Sequence, residues 1–196
     1  MRLPYAPETA PQDQVKAAEI YERIAARRKP RPLIPLDLTL LHSPPVADGY
    51  NSFLNAIRNE TVVDQGLMEL AICRIGALNG AVWEWRAHAI LAVKAGVSKA
   101  ALEAILDVQS GFGEARVWEN LSLKEEAVVR YTDAMTKNVE VPQIIFDKLN
   151  EIGLDKREVV ELTAGIAAYN CVSRFLVALD VGEMNGKAME VPENAK

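Results

Sequence analysis

The apolar positions of this chain recur at helical spacing almost throughout, and no segment shows the sustained alternation of a strand, so the pattern predicts an all-α fold. From Ala10 to Arg28, Val15, Ala18, Ile20, Ile24 and Ala25 mark one amphipathic helix. The segment KPRPLIPLD, with three prolines in six residues, reads as a surface connector with Leu36, Leu38, Leu40 and Leu41 tucked beneath it. After Ser43-Pro44, a second helix is expected over Val46 to Asn59, facing inward through Tyr50, Phe53, Leu54 and Ile57.

Thr61 to Asp64 resembles a capping box ahead of a third helix, which carries Leu67, Leu70, Ala71, Arg74, Ile75 and Leu78 and closes at Asn79-Gly80. Ala81 to Ala95 is the fourth, and Ser98 caps a fifth. The piece SGFGEARVWEN has no clear period and reads as a loop. Ser122 with Glu125 opens a sixth helix to about Asn138. Pro142 begins a seventh with Ile144, Ile145, Phe146 and Leu149 as its core face, and Asp155 with Glu158 caps a long eighth to about Leu179. The expectation is a helical domain of about eight helices with short connections.

Composition adds exclusions. With 196 residues, 49% hydrophobic content and a formal net charge of -5, the chain is sized for one core and has no basic stripe for nucleic acid. Arg27, Arg28, Lys29 and Arg31 suit the end of a helix. Cys73 and Cys171 lack disulfide or metal-ligand spacing and are expected as reduced thiols in a cytoplasmic protein. MRLPYAPETAPQ has no signal-peptide core, and Leu162 to Ser173 is too short to span a membrane, so no membrane partner is expected.

The chemistry gathers between Glu69 and His88. Glu84 and His88 stand one helical turn apart with Trp85 beside them, and a turn at Asn79-Gly80 would bring Glu69 to meet them. A neutral imidazole accepts and donates protons near pH 7, and two carboxylates can orient it and carry a second proton, a combination suited to proton transfer to or from carbon. The bland alternative is an exposed Glu-His pair. The expected roles are His88 as acid/base, Glu84 as its orienter and Glu69 as second proton carrier. Trp85, Trp83 and Trp118 supply apolar contacts in this reading, with Trp83 pointing away from the Glu84/His88 face. Asn170 and Arg174 share a face of the last helix, where a guanidinium would suit a carboxylate substrate. No metal ligand set of recognised spacing is present, Cys73 has no feature that marks a nucleophile, and His42 reads as a loop residue.

With these residues in view, the chain resembles the carboxymuconolactone decarboxylase family and its relative alkylhydroperoxidase D. The resemblance rests on Glu69, the WEWxxH run from Trp83 to His88, the segment Ala89 to Ser98, and the late run from Ala168 to Phe175. It is closest to the longer members, with an N-terminal extension and a C-terminal helical half. In the peroxidase branch a CxxC motif precedes the histidine, and its cysteines fall here on Ala81 and Glu84, so thiol peroxidase chemistry does not carry over. The resemblance implies an AhpD-like helical fold and a cofactor-independent decarboxylase or lyase acting on a small cyclic carboxylated, lactone or polyketide-like substrate. It also implies a homo-oligomer, whether dimer, trimer or hexamer. A single domain over 1–196 is expected, with packing helices in 1–60, the core motif helices in 61–110 and the C-terminal half in 111–196. The rival readings are an AhpD-like peroxidase and a non-catalytic oligomeric ligand-binding protein.

Overall fold

A computed structural model describes every residue except 12–14, 110–117, 194 and 196. Among the described residues the chain forms nine helices and no strand: α1 Val15–Arg28, α2 Pro35–Leu40, α3 Pro44–Asn59, α4 Gln65–Asn79, α5 Val82–Lys94, α6 Lys99–Leu106, α7 Leu123–Lys137, α8 Gln143–Glu151 and α9 Lys156–Leu179. The all-α expectation holds, with nine helices where about eight were expected. Most of the loop expected over SGFGEARVWEN lies outside the described residues.

The chain divides into two compact units, one of Met1–Glu60 with Leu179–Glu183, the other of Thr61–Ala178 with Met184–Lys196. In the first, α2 replaces the expected connector. Pro35 occupies the first helical turn, where its missing N–H costs nothing, and the Asp37 carboxylate accepts from Ile34 N at 3.1 Å. Arg28 then grips Asp37 with two hydrogen bonds of 2.7 and 2.8 Å, and Leu36, Leu40 and Leu41 are buried. The prolines start a helix here instead of preventing one. On α3 the inward stripe runs through Ala47, Asn51, Leu54 and Ile57, while Phe53, expected inside, is 50% exposed. Phe53 sits about 100° around the helix from Leu54, off that stripe.

The second unit is organised around α4, whose residues from Leu67 to Leu78 are all buried. Asp64 caps it by accepting from Leu67 N at 3.0 Å, and Gly80 ends it in the left-handed region at φ 67°. The next helix, α5, returns against α4, and the two come close at Gly76, where an added Cβ would stand 3.3 Å from Trp85 N. That closeness matters for the site, because it lets side chains on the two helices meet. Helices α6 and α7 also pack against α4. The capping boxes expected at Ser122 and Asp155 form, with Ser122 N donating to Glu125 Oε2 at 2.8 Å and Asp155 N to Glu158 Oε2 at 2.8 Å, whereas the one expected over Thr61 to Asp64 does not open α4, whose N-cap is Asp64 itself. On α8 only Ile145 and Leu149 are buried, and Ile144 faces solvent.

Within the described residues, α9 is long and apolar enough to cross a membrane by length and composition, with 50% of that window buried inside the protein. Its buried face also carries Asn170 and Ser173, both hydrogen-bonded to Asn79 of α4. Polar side chains satisfied by a neighbouring helix suit a packed core helix.

Candidate active site

The α4–α5 hairpin brings together the three residues singled out in the sequence. His88 Nδ1 lies 2.6 Å from Glu69 Oε2, across the two helices. Glu69 is buried, and His88 is 8% exposed. An ionised carboxylate only accepts, so with Glu69 ionised Nδ1 carries the proton and Nε2 keeps its lone pair. Among the described residues Nε2 has no hydrogen-bond partner. The orienting hydrogen bond therefore comes from Glu69 and not, as expected, from Glu84 one turn away on the same helix.

Glu84 is 1% exposed, and neither of its carboxyl oxygens has a hydrogen-bond partner. A bare buried carboxylate is costly, so burial pushes its pKa well above the usual carboxylate range and favours the protonated form. The unfolded chain, by contrast, ionises Glu84 at its ordinary pKa of about 4.3. As pH rises beyond that value the unfolded state loses a proton that the folded state keeps, so stability falls until the folded pKa is reached. We expect Glu84→Gln, which cannot titrate, to gain on the wild type by up to about 1.4 kcal/mol per pH unit above about pH 4.3. Urea midpoints measured from pH 4.5 to 8 check this, and a difference independent of pH would contradict it.

Cys73, one turn after Glu69, completes the cluster. Its thiol is fully buried, and burial raises its pKa well above the ordinary value, with the Glu69 and Glu84 carboxyls adding to the shift. A protonated, enclosed thiol is a poor nucleophile. Cys171 is exposed. With a thiol reagent at pH 8, the native protein should show fast reaction of Cys171 alone, and Cys73 should react only after unfolding. Fast double labelling of the native protein would place Cys73 within reach of solvent.

The residues expected to bind substrate separate into groups. Trp85 and Trp118 both belong to the apolar core with Cys73, Ala89, Leu102 and Ile105, and Trp85 Nε1 donates to Glu190 O at 2.8 Å. Trp83 is half-buried. Asn170 belongs to a polar network at the end of α4. Its Oδ1 accepts from Asn79 Nδ2 at 3.2 Å, and its Nδ2 donates to Thr136 Oγ1 at 3.0 Å and Ile166 O at 3.1 Å. The exposed Arg174 donates to Asn170 O at 3.0 Å and to Asn170 Oδ1, so it braces its own helix.

Two further residues escaped the sequence reading. Tyr169 of α9 is buried with its ring T-shaped against His88, centroids 4.9 Å apart and planes at 80°. Arg74, wholly enclosed, holds Asp133 through two hydrogen bonds of 2.7 and 3.1 Å, donates to Ile105 O at 2.8 Å, and lies over the Trp118 ring at 5.1 Å. An arginine inside the apolar run LAICRIGAL was the available signal, since such a charge is retained only when paired. Tyr169 lies in the run Ala168 to Phe175 that carries part of the family resemblance, but nothing there gave it a role at the site. Among the described residues, no group of three His, Cys, Asp or Glu side chains is placed to hold a metal ion.

Comparison with known proteins agrees with this architecture. No curated protein matches the sequence. An uncharacterised peroxidase-related protein of Ralstonia eutropha JMP134, with an alkylhydroperoxidase AhpD core, superposes with a TM-score of 0.70 at 16% identity, covering 96% of this chain and 97% of that one. A peroxidase-related protein of Silicibacter sp. TM1040 gives 0.68 at 13% identity, covering 93% and 95%. The debrominase Bmp8, as a cysteine-to-alanine variant with 2,3,4-tribromopyrrole, gives 0.64 at 16% identity, covering 98% and 94%. At such identities the likeness is one of fold. Residues 44–115, which contain Glu69, Glu84 and His88, match the model of the carboxymuconolactone decarboxylase family, so the chain carries that family's sequence pattern on an AhpD-like helical fold.

Proposed function

We propose that the protein is a cofactor-independent enzyme of decarboxylase or lyase type that transfers a proton at carbon, on a small cyclic carboxylated, lactone or polyketide-like substrate. The observation that carries this reading is the buried 2.6 Å contact between His88 Nδ1 and Glu69, which leaves Nε2 as the reactive nitrogen. In the step proposed, the carbon–carboxylate bond breaks, carbon dioxide leaves, and the electron pair delocalises into the substrate's own carbonyl system. Protonated His88 then delivers the Nε2 proton to that carbon, returns to the neutral form, and regains a proton from solvent. Glu69 holds the ring and stabilises the imidazolium. Glu84, kept neutral by burial, avoids a second negative charge in the cluster.

The thiol chemistry suggested by the names of the peroxidase-related neighbours has little support here. Ala81 and Glu84 stand where that branch keeps its cysteines, and Cys73 is sealed and protonated. A screen of cyclic keto acids and lactones for carbon dioxide release, run beside His88→Ala, tests the reading. Release above the variant's level supports it; no release from any member by the folded wild type, or hydroperoxide reduction with a dithiol in its place, would overturn it.

A further inference from the structure

The ring of His88 is held at two places, and only one is a hydrogen bond. The Glu69 contact locates Nδ1, yet the torsion that turns an imidazole about its Cβ–Cγ bond is broad and leaves the plane of the ring loosely set. Tyr169 closes that freedom. It comes from α9, packs at 80° to the imidazole with centroids 4.9 Å apart, and is itself buried. An edge-to-face arrangement is favoured by the ring quadrupoles and is lost if either ring pivots.

The placement of Tyr169 depends on the polar network beside it. Asn170, the next residue, and Ser173, one turn on, both receive the Asn79 side-chain amide, at 3.2 and 2.8 Å. Asn170 also donates to Thr136 of α7. These bonds set how far α9 is advanced along α4, since a shift by one residue would break all of them. The same register puts Tyr169 against His88, which lies on α5 beyond the Asn79-Gly80 turn.

We infer that Tyr169 is a positioning residue of this site: its ring, set by the Asn79–Asn170–Ser173 network, fixes the plane of His88 so that Nδ1 meets Glu69 and Nε2 points to the reacting group. The inference rests on the proposed role of His88. It gives Asn170, expected to contact substrate, a different task.

The test is nitrogen-15 and proton NMR of the histidine side chains without substrate, where the hydrogen-bonded Nδ1 proton of His88 is read directly. His42, the other histidine, is assigned by its absence from a His42→Gln sample. Wild type and Tyr169→Phe should both show a protected Nδ1 proton and one tautomer. In Tyr169→Leu that proton should broaden into exchange with solvent and the ring nitrogens should average, while a retained melting transition shows that the fold survives. Asn79→Ala, which leaves Tyr169 in place, should give a smaller broadening. If Tyr169→Leu fails to fold, Tyr169→Met carries the same reading. An unchanged Nδ1 proton in the folded Leu or Met variant overturns the proposal, as does its loss in Tyr169→Phe, which would assign the effect to the hydroxyl. Because no turnover is involved, failure of the substrate screen leaves this result standing, and the two ideas fail separately.

Discussion

Turnover should fall by about 10²–10⁴-fold in His88→Ala, the range expected when a general acid/base is removed. The loss should appear in kcat with little change in KM, because the imidazole acts on charge that develops during the reaction. Glu69→Gln should be almost as damaging, for a reason that follows from the 2.6 Å contact to Nδ1. A carboxylate can only accept there, which keeps the proton on Nδ1 and the lone pair on Nε2. A glutamine amide carries no charge and can present its NH₂ to Nδ1, so the imidazolium that delivers the proton loses the carboxylate that stabilises it. Full turnover in both variants would exclude this site from catalysis.

Asp133→Ala is expected to be the most destabilising single change, at about 3–5 kcal/mol, because it leaves a buried guanidinium without its counter-charge. Arg74 and Asp133 are 0% and 1% exposed, so water cannot replace the carboxylate. The remaining bonds from Arg74 to Ile105 O and Asp107 O, at 2.8 and 3.2 Å, satisfy part of the guanidinium but supply no full negative charge. Against a typical total of about 5–15 kcal/mol, such a loss threatens folding near physiological temperature. Replacing both partners with apolar residues of similar volume should cost far less. Urea unfolding followed by tryptophan fluorescence distinguishes the cases, and a loss below about 1 kcal/mol for Asp133→Ala would mean that the pair is worth no more than an exposed one.

Much of the helical layout was legible because its signals are local. The capping boxes at Ser122 and Asp155 and the left-handed stop at Gly80 depend on residues within one turn of each other. The exceptions are equally physical. Pro35 and Asp37 together start a helix that proline content alone argues against, and Arg28, nine positions earlier in the chain, secures it. Phe53 and Ile144 fit an apolar pattern but face outward, since the stripe that is buried depends on which neighbours each helix meets.

At the site, Glu69, Glu84 and His88 were identifiable by residue type and spacing around a readable turn. Their roles were not. An i,i+4 spacing made Glu84 the natural partner of His88, but at Gly76 the helices come close enough for Glu69 to take that place. Spacing gave no measure of burial either, and it is burial that leaves Glu84 protonated and Cys73 inert.

By itself, then, the sequence determined the helical class, most helix ends and the identity of the titratable trio, all consequences of periodicity, capping and short-range spacing. The tertiary structure decided which carboxylate holds the imidazole, which stays neutral, and that Trp85 and Trp118 are core residues while Tyr169 braces His88. Those outcomes depend on close approach and exclusion of water between segments far apart in the chain, and no local pattern encodes them.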